Sequence, residues 1–351
     1  MEHRVGMVGL RQAAGLINIF ESHPDTKVTA ICDIDETLLN EVGEQYGIEQ
    51  RFTDYEAFVQ TDIDIVELST PIQVHGQQAI AAMRSGKHVL CQYIAASGPA
   101  EAEELLCVAK RSGKQYMFIE TDCYERKSRI MMELARRGVF GELTSGRGEY
   151  IHDCKVLGYN PDGSYTWRGE QWMQGLGGMA AGVHTCTPLL QMFGEQVETL
   201  CAMGSGTHTA PEFRWNDTVI VLCKLPSGRM IELRFDVLSW YPGRQGYFLQ
   251  GTRGCFEYDR AAILGEDKLS EWKSLDQLEA EYQLTDIVRD AGGHQSAWAL
   301  CIRDFMAAIE NDTRPPLDLY DALHITAIGW AADESLKTGN TVEVISFADF
   351  V

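Results

Sequence analysis

The segment Val5-Gly6-Met7-Val8-Gly9-Leu10-Arg11-Gln12-Ala13-Ala14-Gly15 joins a short apolar run to a stretch with helical spacing. Outward from it the two textures alternate up to about residue 120. Strand-like runs fall at Arg4 to Gly9, Lys27 to Asp33, Ile63 to Ser69, His88 to Cys91 and Gln115 to Ile119. Helical patterns lie near Ala13 to Glu21, Glu36 to Tyr46, Val74 to Ser85 and Pro99 to Ser112. Short unbroken Val/Ile runs suit parallel strands buried on both faces. Their alternation with helices predicts a doubly wound α/β sheet.

The quoted segment resembles the glycine-rich strand-to-helix turn of a dinucleotide site. Gly9 fits the tight turn, and Ala14 or Gly15 fits close helix–strand packing. Arg11 stands where a second glycine normally lets the backbone approach a pyrophosphate, and its guanidinium can reach a phosphate instead. Asp33 ends the second strand, where a carboxylate accepts from a ribose 2′-hydroxyl and repels a 2′-phosphate. The expectation is a Rossmann domain over residues 1–122 that binds NAD rather than NADP. Gly9, Arg11, Gln12, Ala13 and Asp33 are its first cofactor residues.

Beyond a linking helix near Glu125 to Arg137, strand runs follow one another directly. They are Leu143 to Asp153, Glu198 to Gly206, Thr218 to Leu225, Met230 to Ser239 and Gly246 to Gly251. Successive strands without intervening helices predict an α+β domain with a large, mostly antiparallel sheet over residues 123–351. Helices near His184 to Phe193 and Ser296 to Asn311 would cover it, and the last helix would pack back on the first domain.

The chain has 351 residues and a net charge of −21, from 30 Lys and Arg against 51 Asp and Glu. That excess disfavours nucleic acid and anionic membrane, which need a basic face. Ten cysteines without a CxxC pair read as buried free thiols. With neither a signal segment nor a long apolar run, a cytoplasmic protein is expected.

Further motifs point to a family. Ser69-Thr70-Pro71, His75, Ala81-Ala82-Met83 and Gly86-Lys87-His88-Val89-Leu90-Cys91 follow in order. Gly138-Val139-Phe140-Gly141-Glu142-Leu143, Gly177-Gly178, Gly182-Val183-His184 and Thr313-Arg314-Pro315-Pro316 come later. This set resembles the glucose–fructose oxidoreductase, inositol dehydrogenase and rhizopine-catabolism (Gfo/Idh/MocA) family over nearly the whole chain. The resemblance implies an NAD(P)-dependent oxidoreductase acting on a carbohydrate or cyclitol, assembled as a dimer or tetramer. It adds Thr70, Pro71, His75 and Gln92 to the cofactor site. The family usually has Glu-Lys-Pro after the fifth strand and an Asp two residues before the Gly-x-His glycine. Here Gln92-Tyr93-Ile94 and Ala180 stand in those places.

Cys123-Tyr124 and Gly148-Glu149-Tyr150-Ile151-His152-Asp153 resemble the family's NAD-dependent glycosidase branch, which also lacks the lysine. That likeness carries proton handling to Tyr150 and His184, with Ala181 at the branch's usual Tyr position. Side chains alternate along a strand, so Tyr150 and His152 share a face, opposite Glu149, Ile151 and Asp153. A tyrosine ordinarily ionises near ~10 and needs a nearby positive charge to act as a base, whereas histidine needs less tuning. Tyr150, His152 and His184 are therefore the candidate catalytic residues. Tyr93, Tyr124, Trp167 and His294 are candidate substrate contacts; Trp172, Trp240 and Tyr241 also offer rings that stack on sugars or pack in a core. His152, His184 and His294 with Glu149 or Asp153 lack the close spacing of a metal motif, and no metal is assigned. The first alternative is a redox-neutral glycosidase or lyase with NAD held throughout. The second is a non-catalytic sugar or nucleotide sensor, which Gln92, Tyr93 and Ala180 motivate.

Overall fold

Leu10, Ala13, Leu16, Ile17 and Phe20 recur at helical spacing and are buried along one side of α1 (Leu10–Ser22). Removing each large member of such a stripe from water contributes about 1.5–3 kcal/mol. The structure, a computed structural model, describes residues 2–174, 182–238, 240, 242–266, 268–288 and 294–347, without the side chains of 288, 294 and 295.

Helix α1 follows β1 (His3–Val8) and leads to β2 (Thr26–Cys32), α2 (Glu36–Tyr46), β3 (Gln50–Phe52), α3 (Tyr55–Val59) and β4 (Ile65–Leu68). Then come α4 (His75–Arg84), β5 (His88–Cys91), α5 (Pro99–Ser112) and β6 (Tyr116–Phe118). The strands form a parallel sheet in the order β3-β2-β1-β4-β5-β6. Strand order reverses between β1 and β4, and in such sheets ligands bind outside the carboxyl ends at that point. Local signals set the helix ends. Asp35 caps α2, Pro99 opens α5, and Gly47 and Gly113 close those two helices with φ of 68° and 63°.

A turn at Thr121–Tyr124 leads to α6 (Arg126–Arg136) and the long β7 (Leu143–Ile151). Next are α7 (Trp167–Met173), α8 (Val183–Phe193), β8 (Thr199–Gly204), β9 (Val219–Lys224), β10 (Met230–Asp236) and β11 (Arg244–Gly251). The chain continues through β12 (Gly254–Glu257), β13 (Arg260–Ile263), β14 (Lys273–Ser274), α9 (Leu275–Tyr282) and α10 (Thr285–Val288). It ends with α11 (His294–Glu310), α12 (Leu319–Thr338) and β15 (Val342–Glu343). The second sheet has the order β14-β13-β12-β11-β7-β10-β9-β8-β15 and is mixed, with β7 and β10 parallel and its other pairs antiparallel. Along β9, Val219, Val221 and Cys223 are buried while Ile220, Leu222 and Lys224 are exposed, so one sheet face is covered and one open.

By internal contacts the chain divides into Met1–Thr121, Gly293–Thr326 and Phe347–Val351 on one side and Asp122–Gly292 with Ala327–Ser346 on the other. Residues 293–326, read from the sequence with the second domain, thus group with the first unit, where α11 packs against α1.

Local differences from the sequence reading have physical causes. Helix α1 starts at Leu10 rather than near Ala13, because Gly9 turns the chain and Asp33 holds the Leu10 N–H. Strand β7 stops at Ile151, two residues short of the expected end. Strand β3 carries Gln50 and Arg51, so no apolar run marks it. Helix α12 buries Ala322, Leu323, Ile325, Ala327, Ile328, Ala331 and Ala332, which leaves no single apolar stripe to find.

Candidate active site

The glycine turn explains itself residue by residue. Gly9 has φ of 86°, and a Cβ there would lie 2.6 Å from the Ser69 carbonyl oxygen. Its N–H donates to the Cys32 carbonyl at 3.1 Å, and its carbonyl accepts from the Gln12 and Ala13 N–H groups. Gly9 brings no capping side chain to α1, and of the first N–H groups Leu10 is held by Asp33. The helix N-terminus at the β1/β4 switch is therefore suited to phosphate. Ala13 is buried and lets α1 sit on the sheet; Gln12 and Gly15 are exposed, and a Cβ at Gly15 meets nothing within 4 Å. The close-packing place assigned to Ala14 or Gly15 thus does not fall on Gly15. Arg11 is exposed, with its guanidinium 3.8 Å from the Asp35 carboxylate.

Asp33 is oriented by two backbone donors, Leu10 N–H at 2.7 Å and Asp35 N–H at 2.9 Å. Each carboxylate oxygen keeps acceptor capacity for a ribose hydroxyl. Beside it Ile34 is 92% exposed. An apolar side chain in water next to that acid offers a surface for stacking, and its position just past an apolar strand run hid it in the sequence.

The loops after β4 and β5 are tied together by His75. Its Nε2 faces the Thr70 carbonyl at 2.7 Å and its Nδ1 the Ile94 carbonyl at 3.1 Å. Burial pushes this imidazole down to about 4, so near neutrality it is uncharged and donates to one of the two. His75 thus shapes the loops from beneath. The Thr70 hydroxyl donates to Gln78, Pro71 is exposed, and Tyr93 is half-buried. The buried Gln92 amide reaches the Ser69 hydroxyl at 3.5 Å. Ser69 in turn donates to Glu67 at 2.6 Å, and burial holds that carboxyl up at about 8.

In the second unit, glycines on one face of β7 admit α8. A Cβ at Gly148 would lie 1.9 Å from the Thr185 carbonyl oxygen, and one at Gly146 would lie 3.0 Å from Phe193. Two residues on, the same face carries Tyr150. The close approach sets His184, at the start of α8, against it. The Tyr150 and His184 ring centroids are 5.1 Å apart, those of Tyr150 and His152 6.0 Å, and those of Tyr150 and Phe235 5.9 Å. His152 lies just past the strand end, its N–H donating to the Asp236 carbonyl at 2.8 Å. Tyr150, His152 and His184 are thus brought together.

Glu149 faces the other way. Arg147 at 3.3 Å, Arg244 at 2.9 Å and the Tyr258 hydroxyl at 2.6 Å engage its buried carboxylate. It is therefore separated from the histidines with which it was considered as a ligand. Tyr124 is buried in the turn before α6. Trp167 is half-buried at the start of α7 with the Arg168 guanidinium 4.3 Å over its ring, and Trp172 packs on Phe213 at 5.3 Å. Trp240 is 74% exposed beneath the Lys155 ammonium. Ala180, Ala181 and Tyr241, and the side chain of His294, lie outside the described residues.

Three side chains near this cluster escaped the sequence reading. The Asp122 carboxylate accepts from the Tyr247 hydroxyl at 2.8 Å and from the Gln245 amide, and a carboxylate oxygen lies within 4.8 Å of a His184 ring nitrogen. The only hint was an acid in the turn after a buried strand, with Gln245 and Tyr247 alternating onto the helix-covered face of β11.

Known proteins place these features. A family model described as oxidoreductase family, NAD-binding Rossmann fold, matches residues 3–120, and the GFO/IDH/MocA C-terminal domain matches residues 129–257. The chain belongs to the Gfo/Idh/MocA oxidoreductase family. Its first unit is the family's NAD-binding Rossmann domain, and the protein is an NAD-dependent oxidoreductase of the Gfo/Idh/MocA type. The C-terminal domain of glycosyl hydrolase 109 also matches residues 201–351. A Glycosyl hydrolase family 109 protein of Solibacter usitatus is 26% identical, covering 99% of this Gfo/Idh/MocA chain and 88% of its own. An NAD binding oxidoreductase from Klebsiella pneumoniae shares the fold with a TM-score of 0.83 at 18% identity, over 99% of this chain and 100% of that one. The scyllo-inositol dehydrogenase from Lactobacillus casei, solved with NAD(H) and scyllo-inositol, does so at 0.78 and 18%, over 98% and 99%. Among the described residues no helix is long and apolar enough to cross a membrane.

Proposed function

We propose that this protein oxidises a ring hydroxyl of a carbohydrate or cyclitol with NAD, and that Tyr150, His152 and His184 handle the protons. The supporting observation is the three-ring cluster on the helix-covered face of the second sheet, in a chain with Gln92-Tyr93-Ile94 where the family's lysine is usual. Gly9, the start of α1 and Asp33 suit NAD, with Arg11 beside the phosphates. When bound, NAD supplies a hydride acceptor. The substrate carbon gives up a hydride, its hydroxyl gives up a proton, and a carbonyl remains. A base takes that proton more readily when a partner shares the charge, which two imidazoles beside a phenol allow.

A redox-neutral glycoside cleavage is the second reading, favoured by the glycosyl hydrolase 109 match and relatives. The new C3 carbonyl acidifies the C2–H, a base removes that proton, and the aglycone departs. Water then adds, and the hydride returns to C3. Incubation with NAD and a panel of free sugars, cyclitols and nitrophenyl glycosides tests both readings. Net reduced cofactor is expected from oxidation. Aglycone release without it, together with deuterium entering at C2 from heavy water, marks the redox-neutral cycle. No turnover on the whole panel, with ligand binding retained, would instead leave a sensor.

We also propose that the open face of the second sheet is covered by a second copy of the chain. Leu222 and Met230 stand about half exposed there beside Arg147 and Glu232. Apolar patches with both charges interspersed suit self-association. Light scattering should report a dimer or a larger assembly, and Leu222→Lys with Met230→Lys should shift it to monomer. A monomeric parent protein would discard this interface.

A further inference from the structure

The family's usual carboxylate two residues before the Gly-x-His glycine is absent, since Ala180 stands there. A different carboxylate lies beside the same histidine. Asp122 is 2% exposed and arrives from the turn before α6. Its Oδ2 accepts from the Gln245 amide and from the Tyr247 hydroxyl at 2.8 Å. That hydroxyl also lies 2.6 Å from the carbonyl oxygen of His184. A single hydroxyl proton cannot serve both acceptors at once. Whenever it goes to the His184 carbonyl, the buried carboxylate gives up one donor, and a buried carboxylate needs donors or a cation. A His184 ring nitrogen lies within 4.8 Å of it.

We propose that Asp122 is a positioning residue for His184. Its carboxylate fixes the ring's orientation and tautomer and stabilises the imidazolium formed when His184 accepts a proton. It acts through His184 and takes no proton itself, as in other carboxylate-oriented imidazoles. Gln245 and Tyr247 hold it in place, and Tyr247 fastens the start of α8 to the same point. The role in turnover rests on the carbohydrate-oxidation reading; the pairing itself does not.

Other groups among the described residues of the second unit flank His184. β7 presents Tyr150 and β11 presents Tyr247. β10 presents Phe235, paired with Tyr150, while Arg234 and Asp236 point to the opposite sheet face and bind each other. On α6, the Lys127 ammonium lies 3.0 Å from Glu125 and 3.1 Å from the Gln245 carbonyl. Among the described residues of this unit, Asp122 is the acid whose carboxylate lies close enough to raise the affinity of His184 for a proton.

The test follows the His184 imidazole by NMR against pH in the full chain with NAD and without sugar, assigned with His184→Gln. Asp122→Asn keeps an acceptor for Tyr247 and Gln245, and the His184 midpoint should fall by about one pH unit or more. Tyr247→Phe removes a donor from Asp122 while keeping its charge, so the midpoint should hold or rise. A merely structural role would lower it in both variants or in neither. An unmoved midpoint in Asp122→Asn overturns the proposal, as does a fall in Tyr247→Phe. If Asp122→Asn does not fold, Asp122→Ser takes its place, with the same fall expected and an unmoved midpoint overturning the proposal. Because no sugar is present, a failed carbohydrate reading leaves this result interpretable. With a substrate in hand, Asp122→Asn should lose about tenfold or more in kcat with KM little changed.

Discussion

Tyr150→Phe and His184→Gln are each expected to cut turnover by about 10²- to 10⁴-fold, the range for removing a positioned acid or base. Both should leave NAD affinity and folding nearly unchanged. Phe keeps the ring that meets His152, His184 and Phe235 at 5.1–6.0 Å and deletes only the hydroxyl. Gln keeps a donor and an acceptor at the start of α8 but cannot gain a proton near neutrality. If the two residues act as a unit, the double variant loses little more than either single one. His152 lies outside the strand and is exposed, so His152→Ala should cost less. The measurement is kcat on the substrate the panel identifies, with thermal melting and NAD titration as controls. A Tyr150→Phe enzyme with parental kcat removes the phenol from the chemistry.

Gly9→Ala is expected to disable the nucleotide half. The new methyl would sit 2.6 Å from the Ser69 carbonyl oxygen and 2.7 Å from the Thr70 N, and both are backbone atoms that cannot swing away. A φ of 86° is itself strained for any residue with a Cβ. Such strain costs about 1–3 kcal/mol. Taken up by moving the turn away from the phosphates, it weakens NAD binding about ten- to hundredfold. Gly15→Ala is the control. Its site is open and helical, so the substitution should stabilise by about 0.5–1 kcal/mol and leave NAD binding alone. Calorimetric titration with NAD and thermal melting read both, and equal NAD affinity in the two variants would refute this account of the turn.

Much of the architecture was legible because burial writes a local code. Val/Ile runs between amphipathic helices announced the parallel sheet, and the strand-to-strand texture after residue 140 announced the mixed one. Where burial leaves no contrast, the code fails. Gln50–Phe52 is too short and polar at the edge, and Leu319–Thr338 is too uniformly apolar to show a face. The alternation along β7 showed that Tyr150 and His152 belong together, because two residues on one strand need only the period of the pleat.

The chain order alone therefore placed the glycine turn at the end of β1 and Asp33 just past β2, and put Tyr150 and His152 on one face. Both are written in local spacing, where a strand run ends and which residues two apart share a face. The family resemblance added His184 to that pair, but only the tertiary structure decided how it meets Tyr150, what engages Glu149 on the other face, and that Asp122 comes near His184 from more than sixty residues upstream. The bare edge of Gly148 lets α8 descend onto β7, and Tyr247 ties its second residue, His184, down. Such approaches depend on which surfaces meet, and no local pattern of residues records them.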